Sequence, residues 1–302
     1  MNRFKESRSL KIGLIVIIIV FGSFGIIRSC FGATRRIQYP ANQSETMSFS
    51  SGDSLKIETV SDNIVLRTSP GVSKVSAEVS GTGKIDCILK VIRSGSTVEI
   101  SLRYPRKSFF FTFPLYTISS NDVTLIITVP EGTQVSDLSM KTVSGDIDIK
   151  SDISVQDELG IKTTSGDVTF GRLDASSVKL NSLSGNMKGD GISARKLTVE
   201  TISSTIHVKE NKAEDYELST VSGDITLRSV SPRFSALEAQ STSGNITVAF
   251  TEEPSMKAKL SSISGTLILQ ESHGSRNLNI SYGKAESNLE IHTTSGDISV
   301  TW

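Results

Sequence analysis

From Leu138 onward, apolar residues recur two apart, shift phase across a short polar tripeptide, and resume two apart on its far side. The tripeptides are Ser144-Gly145-Asp146, Ser165-Gly166-Asp167, Ser184-Gly185-Asn186, Ser203-Ser204-Thr205, Ser222-Gly223-Asp224, Ser243-Gly244-Asn245, Ser264-Gly265-Thr266 and Ser295-Gly296-Asp297. Their serines are spaced by 21, 19, 19, 19, 21, 21 and 31 residues, so the last interval carries an insertion near Gly274 to Lys284. Alternation of this kind marks β-strands with one buried face. The phase change marks a turn or bulge, where glycine permits unusual backbone angles.

Aligned on the serine, the columns are consistent. Six before it stand Leu138, Leu159, Val178, Leu197, Tyr216, Leu237, Ala258 and Leu289. Three after it stand Ile147, Val168, Met187, Ile206, Ile225, Ile246, Leu267 and Ile298. Two before it every residue is a hydroxyl: Thr142, Thr163, Ser182, Thr201, Thr220, Ser241, Ser262 and Thr293. The hydroxyls share parity with the apolar columns, so they are expected to face inward and bond between neighbouring coils. Five after the serine, Gly189 alone breaks an apolar column.

Two short strands and a corner per ~20 residues cannot bury a face alone, whereas stacked coils can. The expected fold is all-β: a β-solenoid of two-strand coils in parallel register, about 4.8 Å apart. An antiparallel β-sandwich is the alternative; it explains the alternation but not the repeated tripeptide. Residues 47–135 hold strand-like runs between Gly, Pro, Ser and Asn, and are expected to form an irregular β cap before a solenoid over 136–302. Ser61-Asp62-Asn63 reads as a degenerate repeat turn.

The N-terminus differs. Ile12 to Ile27 is uncharged and apolar, about 24 Å long as a helix, and flanked by Lys11 and Arg28 that can snorkel. Residues 1–11 are expected to be a cytoplasmic basic tail, 12–27 a transmembrane anchor and 28–46 a tether. A cleaved signal peptide or lipidation at Cys30 are the rivals. Net charge is zero, but seven basic residues against Glu6 put +6 in residues 1–36, leaving −6 on the body. An acidic body disfavours nucleic acid as a partner. Cys87 lies in a strand-like run and reads as a buried small hydrophobe.

The hydroxyl-x-SGD-apolar-x-apolar pattern, as in TVSGDIDI and TTSGDVTF, resembles a bacterial adhesin-like family of unassigned function with β-strand repeats. The run Asp122 to Ile149 is similar to that family's start of repeats, and the likeness covers about residues 50–302. Some members with one N-terminal membrane segment belong to Lia-type cell-envelope stress operons of Gram-positive bacteria. The resemblance therefore implies a single-pass plasma-membrane protein with an extracytoplasmic C-terminal domain and no catalytic residues to carry over.

Candidate chemistry is sparse. Asp146 and Asp167 occupy equivalent positions on adjacent coils, and paired carboxylates suit acid–base work or calcium. The column mixes Asp, Asn and Thr, which share turn chemistry rather than acid chemistry. Eight equivalent serines argue against one activated nucleophile. His207, His273 and His292 fall on different coils or in the insertion, and no metal or cofactor motif is present. The best candidate for interaction is the aromatic and basic stretch holding Arg103, Arg106, Lys107, Phe109, Phe110, Phe111, Phe113 and Tyr116. It either plugs the open end of the solenoid or contacts a membrane or protein. The expected function is a non-enzymatic adhesin-like or scaffold role at the envelope, with an envelope protein or cell-wall polymer as partner. A polysaccharide-active enzyme and a calcium-stabilised surface protein are the alternatives.

Overall fold

A computed structural model describes residues 39–40, 43–83, 87–104 and 122–302. The expected tail and anchor, Cys30 and residues 105–121 lie outside the described residues. Among the described residues no helix is long and apolar enough to cross a membrane.

The repeat strands stack in parallel, each residue beside its equivalent in the next coil. Leu159 pairs with Leu138 on one side and Val178 on the other. Ile147 pairs with Val168, which pairs with Met187. This parallel register is that of a solenoid and is incompatible with an antiparallel sandwich of the repeats. The inward columns are almost fully buried, including Leu159, Ile161, Leu180 and Ile225. Each such side chain contributes about 1.5–3 kcal/mol relative to exposure.

Coils have three sides rather than two. In the 19-residue coils, Val168–Ser182, Met187–Thr201 and Ile206–Thr220 each run as one long strand around the return side. The return side stacks Ile153, Leu173, Ile192 and Asn211 inward. Val230 pairs with Asn211 and continues that column. The 21-residue coils interrupt the long strand, for example at Ser231–Ser235, where Phe234 stacks on Phe250 at 5.4 Å. The two extra residues are thus taken up on the return side and leave the corner unchanged.

Ser61-Asp62-Asn63 is indeed a repeat corner. Leu55 pairs with Leu138 and Ile64 with Ile147, so Ser54–Glu58 and Asn63–Ser69 form a full coil. The parallel stack therefore begins inside the region expected to be only a cap. One further coil lies outside it, made of Thr97–Arg103 beside Ser54–Glu58 and Asp122–Pro130 beside Asn63–Ser69. Antiparallel strands then close this end: Ile88–Ser94 against Thr97–Arg103, and Lys74–Gly83 against Asp122–Pro130. Gln43–Ser48 and Tyr39–Pro40 pair in turn with Lys74–Gly83. Residues 39–46 were expected in a tether. In Gln43–Ser48 the side chains are mostly exposed, so strand formation there rests on backbone pairing that leaves no hydrophobic pattern.

The cap is locked by polar contacts. Arg93 makes a bidentate pair with Asp53 at 2.6 and 3.1 Å, which holds the Asp53 carboxyl below the usual range. The Gln43 amide donates to the Cys87 carbonyl at 2.6 Å and accepts the Leu89 N–H at 2.8 Å, mimicking a further strand along that edge.

The far end departs from chain order. The last strands, Ser287–Thr293 and Ile298–Thr301, insert between the two preceding coils. Leu289 pairs with Leu237 on one side and Ala258 on the other, and Ile298 with Ile246 and Leu267. The coil containing Met256–Ser262 and Leu267–Leu269 is consequently outermost. The 31-residue interval supplies its closure: Asn277–Ser281 and Ser272–Gly274 lie antiparallel on those two strands. Gln270 then clasps the chain end, accepting the Trp302 N–H at 3.1 Å and donating to its carbonyl at 3.3 Å.

Gly189 breaks its column for a steric reason. A Cβ there would lie 1.8 Å from the Phe170 ring of the adjacent coil, so one large side chain fills two positions. Gly189→Val is expected to cost about 1–3 kcal/mol by overpacking, and Phe170→Ala about 3–5 kcal/mol by leaving a cavity. Combined, they should cost clearly less than their sum, as measured by urea unfolding.

Candidate functional site: the corner ladder

The corner is where the repeated chemistry gathers. The serine N–H of each tripeptide donates to the carbonyl of the residue preceding the serine one coil back: Ser144 to Val60, Ser165 to Val143, Ser184 to Thr164, Ser203 to Leu183. The series continues through Ser222 to Ile202, Ser243 to Val221, Ser295 to Thr242 and Ser264 to Thr294, in spatial rather than chain order.

The glycine is required by proximity. A Cβ on Gly166 would stand 1.8 Å from the Gly145 carbonyl oxygen, and on Gly185 1.8 Å from that of Gly166. None of the corner glycines has positive φ, so space rather than the expected unusual backbone angle selects the residue. Asp62 is the first position of this column among the described residues, and no described corner stands on its outer side. Ser204 is fully buried in this column, and no contact explains how its Cβ is admitted; the register continues unchanged through Ile206.

The hydroxyl column is buried, as its parity requires. Some of its bonds are the expected links between coils, and others lie within one corner. The Gly145, Gly166 and Gly185 N–H groups donate to Thr142, Thr163 and Ser182 of the same coil at 3.2, 3.0 and 2.9 Å. Inter-coil bonds are as numerous: Thr59 to Thr142 at 3.1 Å, Thr142 to the Val60 carbonyl at 3.5 Å, Ser262 to the Gly296 carbonyl at 3.1 Å and Thr293 to the Gly244 carbonyl at 3.3 Å. At these three corners the hydroxyl pins its own glycine, because it lies three residues before it.

The Asp/Asn position forms a second ladder. Asn63 Oδ1 accepts the Asp146 N–H at 2.9 Å, Asp146 that of Asp167 at 2.9 Å, and Asp167 that of Asn186 at 2.8 Å. Asn186 accepts from Thr205, Asp224 from Asn245, Asn245 from Asp297, and Asp297 from Thr266. Asp and Asn interchange because both present the same acceptor oxygen. Asp146 and Asp167 do stack as adjacent carboxylates, yet each spends one oxygen on backbone rather than on a substrate or ion. Thr266 closes the ladder on the outermost coil, where no further corner needs an acceptor. Thr205 interrupts it: among the described residues the Asp224 N–H receives no such bond.

Asp62 is the unusual carboxylate. It is fully buried; Oδ1 accepts the Tyr104 hydroxyl, while Oδ2 has no partner among the described residues. Burial raises its pKa, opposed by the Tyr104 bond. Counting in register from Glu58 beside Ser101 and Ile64 beside Leu125, Tyr104 and Asp122 of the outermost coil flank the position of its corner. Arg103 is exposed at the end of Thr97–Arg103, while Arg106, Lys107, Phe109, Phe110, Phe111, Phe113 and Tyr116 lie outside the described residues.

The histidines do not converge. His207 is half-buried; burial first, then Arg228, Lys188 and Lys209, lowers its pKa. His292 is exposed with Nδ1 2.8 Å from Ser261 Oγ, and His273 Nδ1 bonds the Glu271 carbonyl at 3.0 Å. Cys87 is buried. Tyr216, substituting for Leu in the inner column, accepts the Ala213 N–H at 2.9 Å, and burial pushes its pKa up to about 12.

Two outcomes follow for stability. Thr205→Asn should complete the ladder and add about 0.5–1.5 kcal/mol in urea unfolding. Asp62 has a folded pKa above its unfolded value, so its contribution favours folding below the unfolded value and is lost as pH rises through the folded one. Asp62→Asn keeps the acceptor for Tyr104. It should melt higher than the parent at pH 7, the gap shrinking as pH falls toward 4, with thermal scans across pH as the check.

No curated protein sequence matches the chain. Among solved structures, a protein from Bacteroides fragilis described as a candidate adhesin aligns with TM-score 0.50 at 14% identity, covering 87% of this chain and 98% of its own. A candidate adhesin from Parabacteroides distasonis aligns with TM-score 0.49 at 13% identity, covering 85% and 96%. A candidate lipid-binding protein from the same species aligns with TM-score 0.46 at 17% identity, covering 88% and 97%. The Bacteroides likeness is one of fold. The Toastrack DUF4097 family model matches residues 53–301, nearly the whole of the described stack, and the chain belongs to that family.

Proposed function

We propose that the protein is a non-enzymatic, adhesin-like or scaffold component of a bacterial cell envelope. Residues 12–27 anchor it in the plasma membrane, and the coil stack works outside the cytoplasm. The observation that carries this reading is the use of the carboxylate column. Its acceptor oxygens hold the neighbouring coil's backbone, so the one repeated feature with catalytic potential is structural. The description borne by the Bacteroides fragilis protein of the same fold suits this role. A place in the envelope stress response extends the reading through the resemblance to membrane-anchored family members.

Recognition on such a surface is geometric. Outward side chains stand at fixed spacing of about 4.8 Å, and a polymer or protein is gripped across several coils. Residues 37–302 are expected to co-sediment with isolated Gram-positive cell walls or to crosslink to an envelope protein in intact cells, without releasing reducing sugar ends. Changing Phe109, Phe110, Phe111 and Phe113 to Ser should abolish any binding to lipid vesicles while leaving wall binding intact. Sugar release lost on Asp146→Asn or Asp167→Asn would overturn the reading in favour of an enzyme.

A further inference from the structure

The residue just before each corner serine forms an outward apolar ridge. In spatial order the column reads Val60, Val143, Thr164, Leu183, Ile202, Val221, Thr242, Thr294, Ile263, an order fixed by the serine N–H bonds to the carbonyls of the first eight. Five of the first six are aliphatic. Val60, Val221 and Ile263 are 49%, 42% and 69% exposed, three of the five exposed large hydrophobics among the described residues. From Val60 to Val221 the ridge runs five steps, about 24 Å.

Charges flank this ridge in a matched way. On one side, three before the serine, stand Glu58, Lys141, Lys162 and Glu200; on the other, two after it, the same coils carry Asn63, Asp146, Asp167 and Thr205. Lysine is paired with aspartate and glutamate with an uncharged residue. Lys141, Lys162, Asp146 and Asp167 form no ion pair among the described residues.

We propose that the ridge is the contact by which a second copy of this chain lies alongside in parallel, related by a twofold axis along the stack. That operation sets each ridge residue against its own counterpart. It also brings Lys141 and Lys162 of one copy to the levels of Asp146 and Asp167 of the other, and leaves the glutamates facing Asn63 and Thr205. The antiparallel arrangement would instead face the aspartate columns against each other. A strip about 24 Å by 10 Å covers a few hundred Å² per partner, short of the ~800 Å² per partner of a standard interface. The pairing is therefore transient in dilute solution and is promoted by anchoring both copies in one membrane. Only this promotion rests on the anchored reading above.

The test uses the full chain with Cys30→Ser and Cys87→Ala, purified in detergent and separately in intact bacteria. Val143→Cys, Leu183→Cys and Val221→Cys are introduced singly, with Lys188→Cys, exposed on the neighbouring sheet, as the control. Each ridge cysteine is expected to form disulfide dimers well above the control. Lys141→Glu with Lys162→Glu should weaken dimerisation by about tenfold, and adding Asp146→Lys with Asp167→Lys should restore it. Thermal melts confirm that each variant is folded. Dimers at only one level of the ridge, yields equal to the control, or indifference to charge reversal would overturn the proposal. Dimers in the purified chain but not in cells would sink the anchored reading and leave the pairing standing.

Discussion

Each corner glycine stands tight against the carbonyl oxygen of the neighbouring coil's corner. At each of these glycines there is no room for a Cβ, Asp62 and Ser204 alone carrying a side chain in the column. Because the coils meet this closely, the serine N–H reaches the preceding carbonyl, and the Asp or Asn oxygen reaches the next N–H. The hydroxyl two before the serine then pins the glycine N–H from inside. Apolar stacking supplies most of the burial energy but does not choose a register, since Leu over Ile or Leu over Val packs acceptably. The corner does choose it, because a slip of one residue would place a side chain where only hydrogen fits.

A stack with an exact corner has two raw edges, and open parallel edges recruit other strands. Both ends solve this in the same way. The chain lays down an outer coil out of sequence and folds antiparallel strands onto it. At the N-terminal end these are Ile88–Ser94 and Lys74–Gly83; at the other they are Asn277–Ser281 and Ser272–Gly274. Glutamine amides finish the work, with Gln43 on Cys87 and Leu89 and Gln270 on Trp302. Thr266 in place of Asp or Asn follows from the same logic, since its coil faces a cap rather than another corner.

Much of this was legible in the sequence. The columns at Leu159, Ile161 and Val168 announced buried parallel strands, and Ser61-Asp62-Asn63 was recognisable as a corner despite lacking glycine. The order of the coils was not legible, because Leu289 sits as well beside Leu237 as beside Ala258, and equivalent coils carry no label. The return side was missed because its apolar residues stand singly, Leu173 between Arg172 and Asp174 and Ile192 between Gly191 and Ser193. The strand Gln43–Ser48 was missed because its side chains are mostly exposed. The hydroxyl bonds were legible only in part, those between coils but not those to the same corner's glycine N–H, because parity reports which face is buried but not which polar atom lies within reach. The ridge from Val60 to Val221 escaped notice for the same reason: its residues stand out of phase with the core columns and resemble ordinary loop positions until the coils are stacked.

Where the ends are closed, association has to use the sides. The sheet faces are laced with cross-coil ion pairs such as Lys179–Glu158, Lys196–Glu217 and Lys259–Glu290, all well exposed and each contributing little to stability. Their effect is on specificity: a surface of mutually satisfied charges offers a partner few unpaired groups. The corner is different. Its backbone is engaged by the ladders everywhere but at Thr205, so its geometry is rigid, while the aliphatic column and the lysines and aspartates beside it that form no ion pair remain available. A rigid corner that leaves apolar and charged groups uncovered loses little entropy when a partner covers them, and this makes the edge of the repeat, rather than its faces, the surface best suited to contact.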